Sequence, residues 1–167
     1  AEHGATVNGV NMELTIVPSS KLNMQAGFTI QSSDYDEAQE FGETKFFRTP
    51  ATYGFAAVDY KFLLKYRLSV NGNYTGKMLI PYFGTLLPEG STGELRTTDI
   101  FFDLGAKLSY SIKIGGINME VFGGMKNIFN AYQKDFDFGI DRDPTYVYGP
   151  ILPRTVYAGL RIGNFLK

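Results

Sequence analysis

"LLKYRLSVNGNYTGKM", residues 63–78, repeats with a period of two. From Leu64 the alternate positions are Leu64, Tyr66, Leu68, Val70, Gly72, Tyr74, Gly76 and Met78. The positions between them are Lys65, Arg67, Ser69, Asn71, Asn73, Thr75 and Lys77. Successive side chains of a strand point to opposite faces, so this segment reads as a strand with one apolar and one polar side. The same period returns elsewhere. Val10, Met12, Leu14 and Ile16 oppose Asn11, Glu13 and Thr15; Leu22, Met24, Ala26, Phe28 and Ile30 oppose Asn23, Gln25, Thr29 and Gln31. Ala56, Val58 and Tyr60 give a weaker copy. Ile100 through Ile114 gives the cleanest, and Ile117 to Met125 and Val156 to Ile162 complete the set. The pattern predicts about seven strands and no helix.

The connections alternate in length. Short ones fall at "PSSK", "KFLL" and "KIGG". Long ones run through "SSDYDEAQEFGETKFFRTP", "LIPYFGTLLPEGSTGELR" and "AYQKDFDFGIDRDPTYVYGPILP". Short turns at one end and long loops at the other are the habit of outer-membrane β-barrels. Several predicted strands also exceed the roughly 5–6 residues usual in water-soluble sheets and approach the roughly 9–11 of a tilted membrane strand. Lys65, Arg67, Asn71, Asn73, Lys107, Glu120 and Arg161 suit a wet inner wall, with water or neighbouring chain as partners, while Tyr60, Tyr66, Tyr74 and Tyr110 lie on the apolar side toward strand ends, where aromatic girdles meet lipid. The alternatives are an independent small outer-membrane barrel and a lipocalin-like ligand-binding barrel or β-sandwich with its polar face solvated; a detergent requirement separates the last two from the membrane readings. An odd number of antiparallel strands leaves the first and last parallel at closure, whereas bacterial single-chain barrels have even numbers. The expectation is therefore an all-β, antiparallel transmembrane barrel of which residues 1–167 form about seven strands, with other strands supplied from elsewhere.

Composition narrows the functions. The 167 residues carry 16 basic and 17 acidic side chains, which does not suggest a nucleic-acid partner. Cysteine is absent, so there is no disulfide framework and no thiolate metal site, and His3, the sole histidine, leaves little room for histidine-based catalysis or a zinc cluster. No catalytic set stands out, and an outer-membrane enzyme is a distant reading. No apolar run reaches the roughly 20 residues of a membrane helix. "AEHGATVNGV" lacks the basic start and apolar centre of a signal peptide, so a secreted form would be already processed or part of a longer chain.

The last third sharpens the reading. "KNIFNAYQKDFD" (126–137), "DRDPTYVYGP" (141–150) and "LPRTVYAGLRIG" (152–163) resemble the C-terminal end of TonB-dependent outer-membrane receptors of the form common in Bacteroidetes. "NGNYTGKMLIPYFG" resembles an earlier strand and loop of the same family, and "NGVNMELTIVPSSKLNMQAGFTIQSSDYD" its recurring strand, short turn and strand. The resemblance implies a 22-strand barrel in the outer membrane of a Gram-negative cell, with a plug folded inside. It implies active import of a scarce nutrient, an iron chelate, haem, cobalamin or a glycan, leaning to cobalamin, haem or an iron chelate, driven by TonB through the plug. The implied partners are the remaining strands and plug, outer-membrane lipid and a surface lipoprotein. No plug is recognisable in residues 1–167, which match the last strands of the barrel. The ending departs slightly from the family habit of a closing aromatic in register with the apolar face, since Leu166 holds that register and Phe165 does not.

The candidate sites lie in the long loops. Asp135, Asp137, Asp141 and Asp143 surround Gly139; closely spaced carboxylates at a glycine turn suit calcium, although the spacing fits no EF-hand. The competing expectation is that they pair with Lys134, Arg142 and Arg154 and stiffen the loop, while Pro150 and Pro153 stiffen the approach to the last strand. Tyr82 and Phe83 near the rim, and Tyr146 and Tyr148, are the candidate ligand contacts. The first long loop is acidic, with Asp34, Asp36, Glu37, Glu40 and Glu43 before Phe46 and Phe47. It is either solvated or the face that meets a lipoprotein. His3 is a formal haem ligand, but a lone terminal histidine is more often incidental.

Overall fold

The computed structural model describes residues 4–163; His3, Phe165 and Leu166 lie outside them. The described chain is all-β: β1 (Ala5–Ser19), β2 (Leu22–Tyr35), β3 (Thr52–Leu63), β4 (Tyr66–Thr75), β5 (Leu79–Tyr82), β6 (Glu94–Thr97), β7 (Phe101–Ile114), β8 (Ile117–Lys126) and β9 (Thr155–Ile162). Seven of these form one antiparallel sheet in the order β1-β2-β3-β4-β7-β8-β9. These are the seven strands expected from the alternation. The sheet is open, with β1 and β9 as its edges.

The short turns group at one end of the sheet and the three long loops at the other. Gly115 and Gly116 both have positive φ (56° and 85°), as a two-residue turn between antiparallel strands requires. The opening segment is trimmed at both ends relative to its periodicity. Leu64 and Lys65 form the turn between β3 and β4, with Leu64 fully exposed, and the strand ends at Thr75, where the Gly76 N–H adds one last in-register bond to the Thr52 carbonyl. The second long loop carries the β5–β6 hairpin, paired from Leu79↔Thr97 to Tyr82↔Glu94, which the alternation did not mark.

Register carries each strand's alternation across the whole sheet. Ile16, Met24, Val58, Val70, Ala106, Met125 and Val156 are successive partners in one row from β1 to β9. A slip of one residue at any pair would reverse the faces, and none occurs through these rows. The apolar face is left open: Val10, Met12 and Leu14 are about 60% exposed, and Leu108, Val121 and Leu160 about half. Its two ends are aromatic. At the turn end Phe62 lies 5.6 Å from Tyr66, and Tyr66 lies 4.7 Å from Tyr110. At the loop end Phe28 stacks at 6.1 Å on Tyr74, and Phe102 meets Phe129 at 6.0 Å.

On the polar face several rings reach over a glycine of the neighbouring strand: Phe55 over Gly27, Phe122 over Gly159 and Tyr157 over Gly124. A Cβ at Gly27 would stand 2.4 Å from the Phe55 ring. The small buried apolar cluster sits off the sheet, among the loops, where Ile80, Tyr82 and Tyr146 pack with Met78, Leu87 and Tyr148.

Candidate functional site

The loop end is built around side chains that join the second long loop to the third. Asp137 accepts hydrogen bonds from Thr85 Oγ1 (2.7 Å), Thr85 N (3.2 Å) and Asp143 N (2.7 Å). Asp143 in turn accepts from Phe83 N (3.0 Å) and from Thr145 N and Oγ1. Two carboxylates thus tie residues 83–85 to residues 137–145. Beside them Asp135 accepts from the hydroxyls of Tyr146 (2.6 Å) and Tyr148. Gln133, fully buried, donates to the Tyr146 carbonyl and accepts from Tyr148 N. The Arg96 guanidinium of β6 stacks 3.6 Å over the Tyr82 ring and pairs with Glu94.

The base of the third loop is pinched by two asparagines. Asn127 Nδ2 donates to the carbonyls of Ala131 (2.8 Å) and Leu152 (2.9 Å), and its Oδ1 accepts from Ala131 N (2.7 Å). Asn130 Oδ1 accepts from Arg154 N. Both asparagines have positive φ (48° and 52°), a region that Asn enters at lower cost than most residues.

These bonds set the ionisation of the loop acids. Burial pushes the Asp137 carboxyl up, but the bonds from Thr85 and Asp143 outweigh it and hold the group at about 2. Asp135 and Asp143 are likewise lowered, against burial, by the tyrosine hydroxyls and by Thr145 and Phe83 respectively. Tyr146 and Tyr148 are raised by burial and by their bonds to Asp135.

The expected site residues separate into distinct roles. Tyr82 is fully buried and Tyr146 2% exposed; both are interior posts of the loop cluster. Tyr148 is half-buried, and Phe83, about half exposed, shows the most ring surface of the four. Phe83 stands 6.0 Å from Phe41, which stands 6.2 Å from Phe47, so the first two loops share an aromatic contact. The four aspartates are not gathered on one point. Asp135 is committed to the tyrosines and Asp137 and Asp143 to the loop clamp, and among the described residues no set of three or more acidic or histidine side chains is placed to hold a metal ion. The hydrogen-bond donors to Asp135, Asp137 and Asp143 are neutral, and the cation that lowers Asp143 is Arg48, not the expected Lys134, Arg142 or Arg154. In the acidic first loop, Tyr35 stacks at 4.3 Å on Phe46, and Asp34 pairs by a β-bridge with Lys45.

On the polar wall, Glu120 is 6% exposed and lies 3.7 Å from Arg161, its partner across β8 and β9. Asp59 accepts from the Ser69 hydroxyl, and Lys107 lies 5.8 Å over the Phe122 ring. Thr85, Arg96, Asn127 and Gln133 were not singled out in the sequence. Only the two asparagines around "NIFN" carry a local signal, since Asn is enriched where φ is positive. No family model, no curated protein and no solved structure matches this chain.

Proposed function

We propose that this chain forms part of the wall and outer loops of a TonB-dependent receptor barrel in a Gram-negative outer membrane, and so contributes to the active import of a scarce nutrient. The observation that carries the reading is the apolar face: continuous in register over seven strands, open, and bounded by aromatic rows at both ends. The separation along β4 from Tyr66 to Tyr74 is about 27 Å at roughly 3.4 Å per residue. At a strand tilt of about 35–45° this spans on the order of 20 Å, close to the roughly 25 Å apolar band of such barrels. A lipocalin or sandwich buries its apolar face against itself, whereas here the buried apolar side chains among the described residues are Ile80, Tyr82, Phe101 and Tyr146. Four such side chains are far too few to hold a water-soluble domain of this size together.

Edge strands β1 and β9 present unpaired backbone, which hydrocarbon does not tolerate; further strands from the rest of the receptor pair with them. The family resemblance of the last third supplies the plug, the TonB coupling and the lean to cobalamin, haem or iron chelates. A surface lipoprotein is the partner proposed for the acidic first loop.

The test is the native mass of the particle purified from its own outer membrane in mild detergent. The expected result is a detergent-dependent complex or longer chain supplying on the order of 450 further residues, as a 22-strand barrel with plug demands. A detergent-free particle of this chain's mass alone sinks the assignment.

A further inference from the structure

We propose that the apolar face carries a site for one phosphorylated, acylated lipid of the outer leaflet, with an acyl chain in a trough across β2–β4 and the headgroup phosphate between Lys45 and Lys77. The inference rests on the wall reading above, which turns this face to lipid and the long loops outward. The trough comes from side-chain size. Leu14, Ala26, Ala56, Gly72 and Leu104 are successive partners in one row from β1 to β7, so three small residues lie between two leucines. The row nearer the turns is filled by Met24, Val58 and Val70. The row nearer the loops sets Gly54 between Phe28 and Tyr74, whose rings stack at 6.1 Å. The result is a concavity of about 840 Å³, within the roughly 300–1,000 Å³ of small-molecule sites. The side chains of its floor offer no donor or acceptor, so hydrocarbon is what fits it.

Charge above the trough selects a lipid over other apolar occupants. Ser32 lies four residues beyond Phe28 on β2, roughly 14 Å at about 3.4 Å per residue. There it lines a second, smaller cavity of about 100 Å³ together with Lys45, Lys77 and Thr49. Asp34 and Lys45 oppose each other in a β-bridge, and Asp34 shares the face of Phe28, Ile30 and Ser32 by alternation. Lys45 therefore stands on the apolar side of the sheet. No acid lines this cavity; the Asp34 carboxylate is taken by the Ser32 hydroxyl. Neither lysine is in an ion pair among the described residues. Two ammonium groups at one small cavity suit a phosphate. Their height above the trough puts that phosphate at headgroup level and the trough among the acyl chains. A second copy of the chain would fill the trough without needing two cations above it.

The particle purified in mild detergent, with whatever chains accompany it, is stripped of co-purified lipid. It is then titrated with bisphosphorylated lipid A, with the same lipid A freed of its phosphates, and with inorganic phosphate, and bound lipid is read by native mass spectrometry. The expected result is one tight site per particle, about tenfold or more tighter for the phosphorylated form, from which inorganic phosphate displaces nothing. Lys45→Ala and Lys77→Ala should each weaken it about fivefold and together about 30-fold, while Lys45→Arg with Lys77→Arg stays within about threefold. Ala56→Phe fills the trough from a lipid-facing position and should weaken binding about tenfold. Unchanged recovery and native mass show that a variant has folded, and because lysines and trough are tested separately, one set decides if the other does not fold. Equal affinity for the two forms of lipid A overturns the proposal, as does affinity indifferent to the lysine pair and to Ala56→Phe. Displacement by inorganic phosphate overturns it by making the cavity a free-anion site. A particle of doubled mass that Ala56→Phe returns to single mass overturns it by giving the trough to a second copy. The two readings fail separately. A receptor-sized, detergent-dependent particle without the phosphate preference removes only this site, and a detergent-dependent particle of this chain alone that keeps the preference removes only the receptor.

Discussion

At the scale of single residues, the loop end depends on a few polar side chains that satisfy backbone groups far away in sequence. Asn127, 2% exposed, serves three backbone groups, two on nearby Ala131 and one on Leu152, 25 positions away. Asn127→Ala leaves two carbonyls and one N–H without their partner and places a Cβ residue without Asn's tolerance at positive φ. The expected cost is about 2–3 kcal/mol, which opens the third loop to limited proteolysis roughly 30- to 150-fold faster. Asn127→Gly relieves the backbone but not the lost bonds, so it should recover only a minor part. A rate indifferent to both variants refutes the pinch. Asp137 gives a pH signature. Its folded value of about 2 lies below the usual 3.8, so its contribution is complete above pH ~5 and is lost as pH falls through about 4 toward 2. Asp135 and Asp143 are lowered in the same direction and add to the same window. The near-ultraviolet dichroism of the Tyr82–Tyr146–Tyr148 cluster should therefore fade between pH ~4 and ~2 and return on neutralisation, and Asp137→Asn should already show the weakened signal at pH 7. A flat signal to pH 2 contradicts the clamp.

At the scale of elements, ring-over-glycine pairs join strands that have little else to bury. A Cβ at Gly124 would meet the Ala106 carbonyl at 2.6 Å and the Tyr157 hydroxyl at 2.5 Å. The first is backbone of β7 and cannot swing aside. A Cβ at Gly159 would meet the far end of the Phe122 ring at 2.4 Å, which can rotate. Gly124→Ala should thus cost about 1–3 kcal/mol by forcing β7 from β8, and Gly159→Ala less than about 1 kcal/mol; equal urea midpoints for the two in detergent contradict the geometry. The same scale shows what was legible beforehand. The seven wall strands were readable because period-two alternation is written locally, residue by residue, from Val10 to Ile162. The β5–β6 hairpin was not, because Ile80 and Tyr82 are buried against Tyr146, a partner more than sixty positions away. The loop aspartates were visible as acids, and stiffening was one expected role. Some of their donors are near in sequence, but those that make the clamp, Thr85 and the Phe83 amide, lie over fifty residues off in another loop, a pairing that no local pattern encodes.

At the scale of the whole molecule, the decisive property is that the two faces of one sheet require different surroundings. Val70 lies midway between the aromatic rows on the apolar face, with Val58 and Ala106 as partners, and its neighbour Asn71 is exposed on the polar face. If lipid covers the first face and water or the plug the second, a lysine must be punished at one position and accepted at the next. Val70→Lys places a charge near mid-depth of hydrocarbon, at about 2–4 kcal/mol, and should sharply reduce the amount of heat-modifiable, protease-resistant receptor recovered from outer membranes. Asn71→Lys changes the strand by the same side chain and should leave recovery within about twofold, because a lysine on the water side meets no hydrocarbon. A sheet with water on both faces predicts little difference between the two, and one whose apolar face packs on a hidden protein layer predicts that Val70→Lys is rescued by a compensating acid in that layer. The asymmetry between two adjacent residues, read in the membrane fraction, isolates the solvent of each face from the stability of the strand that carries both.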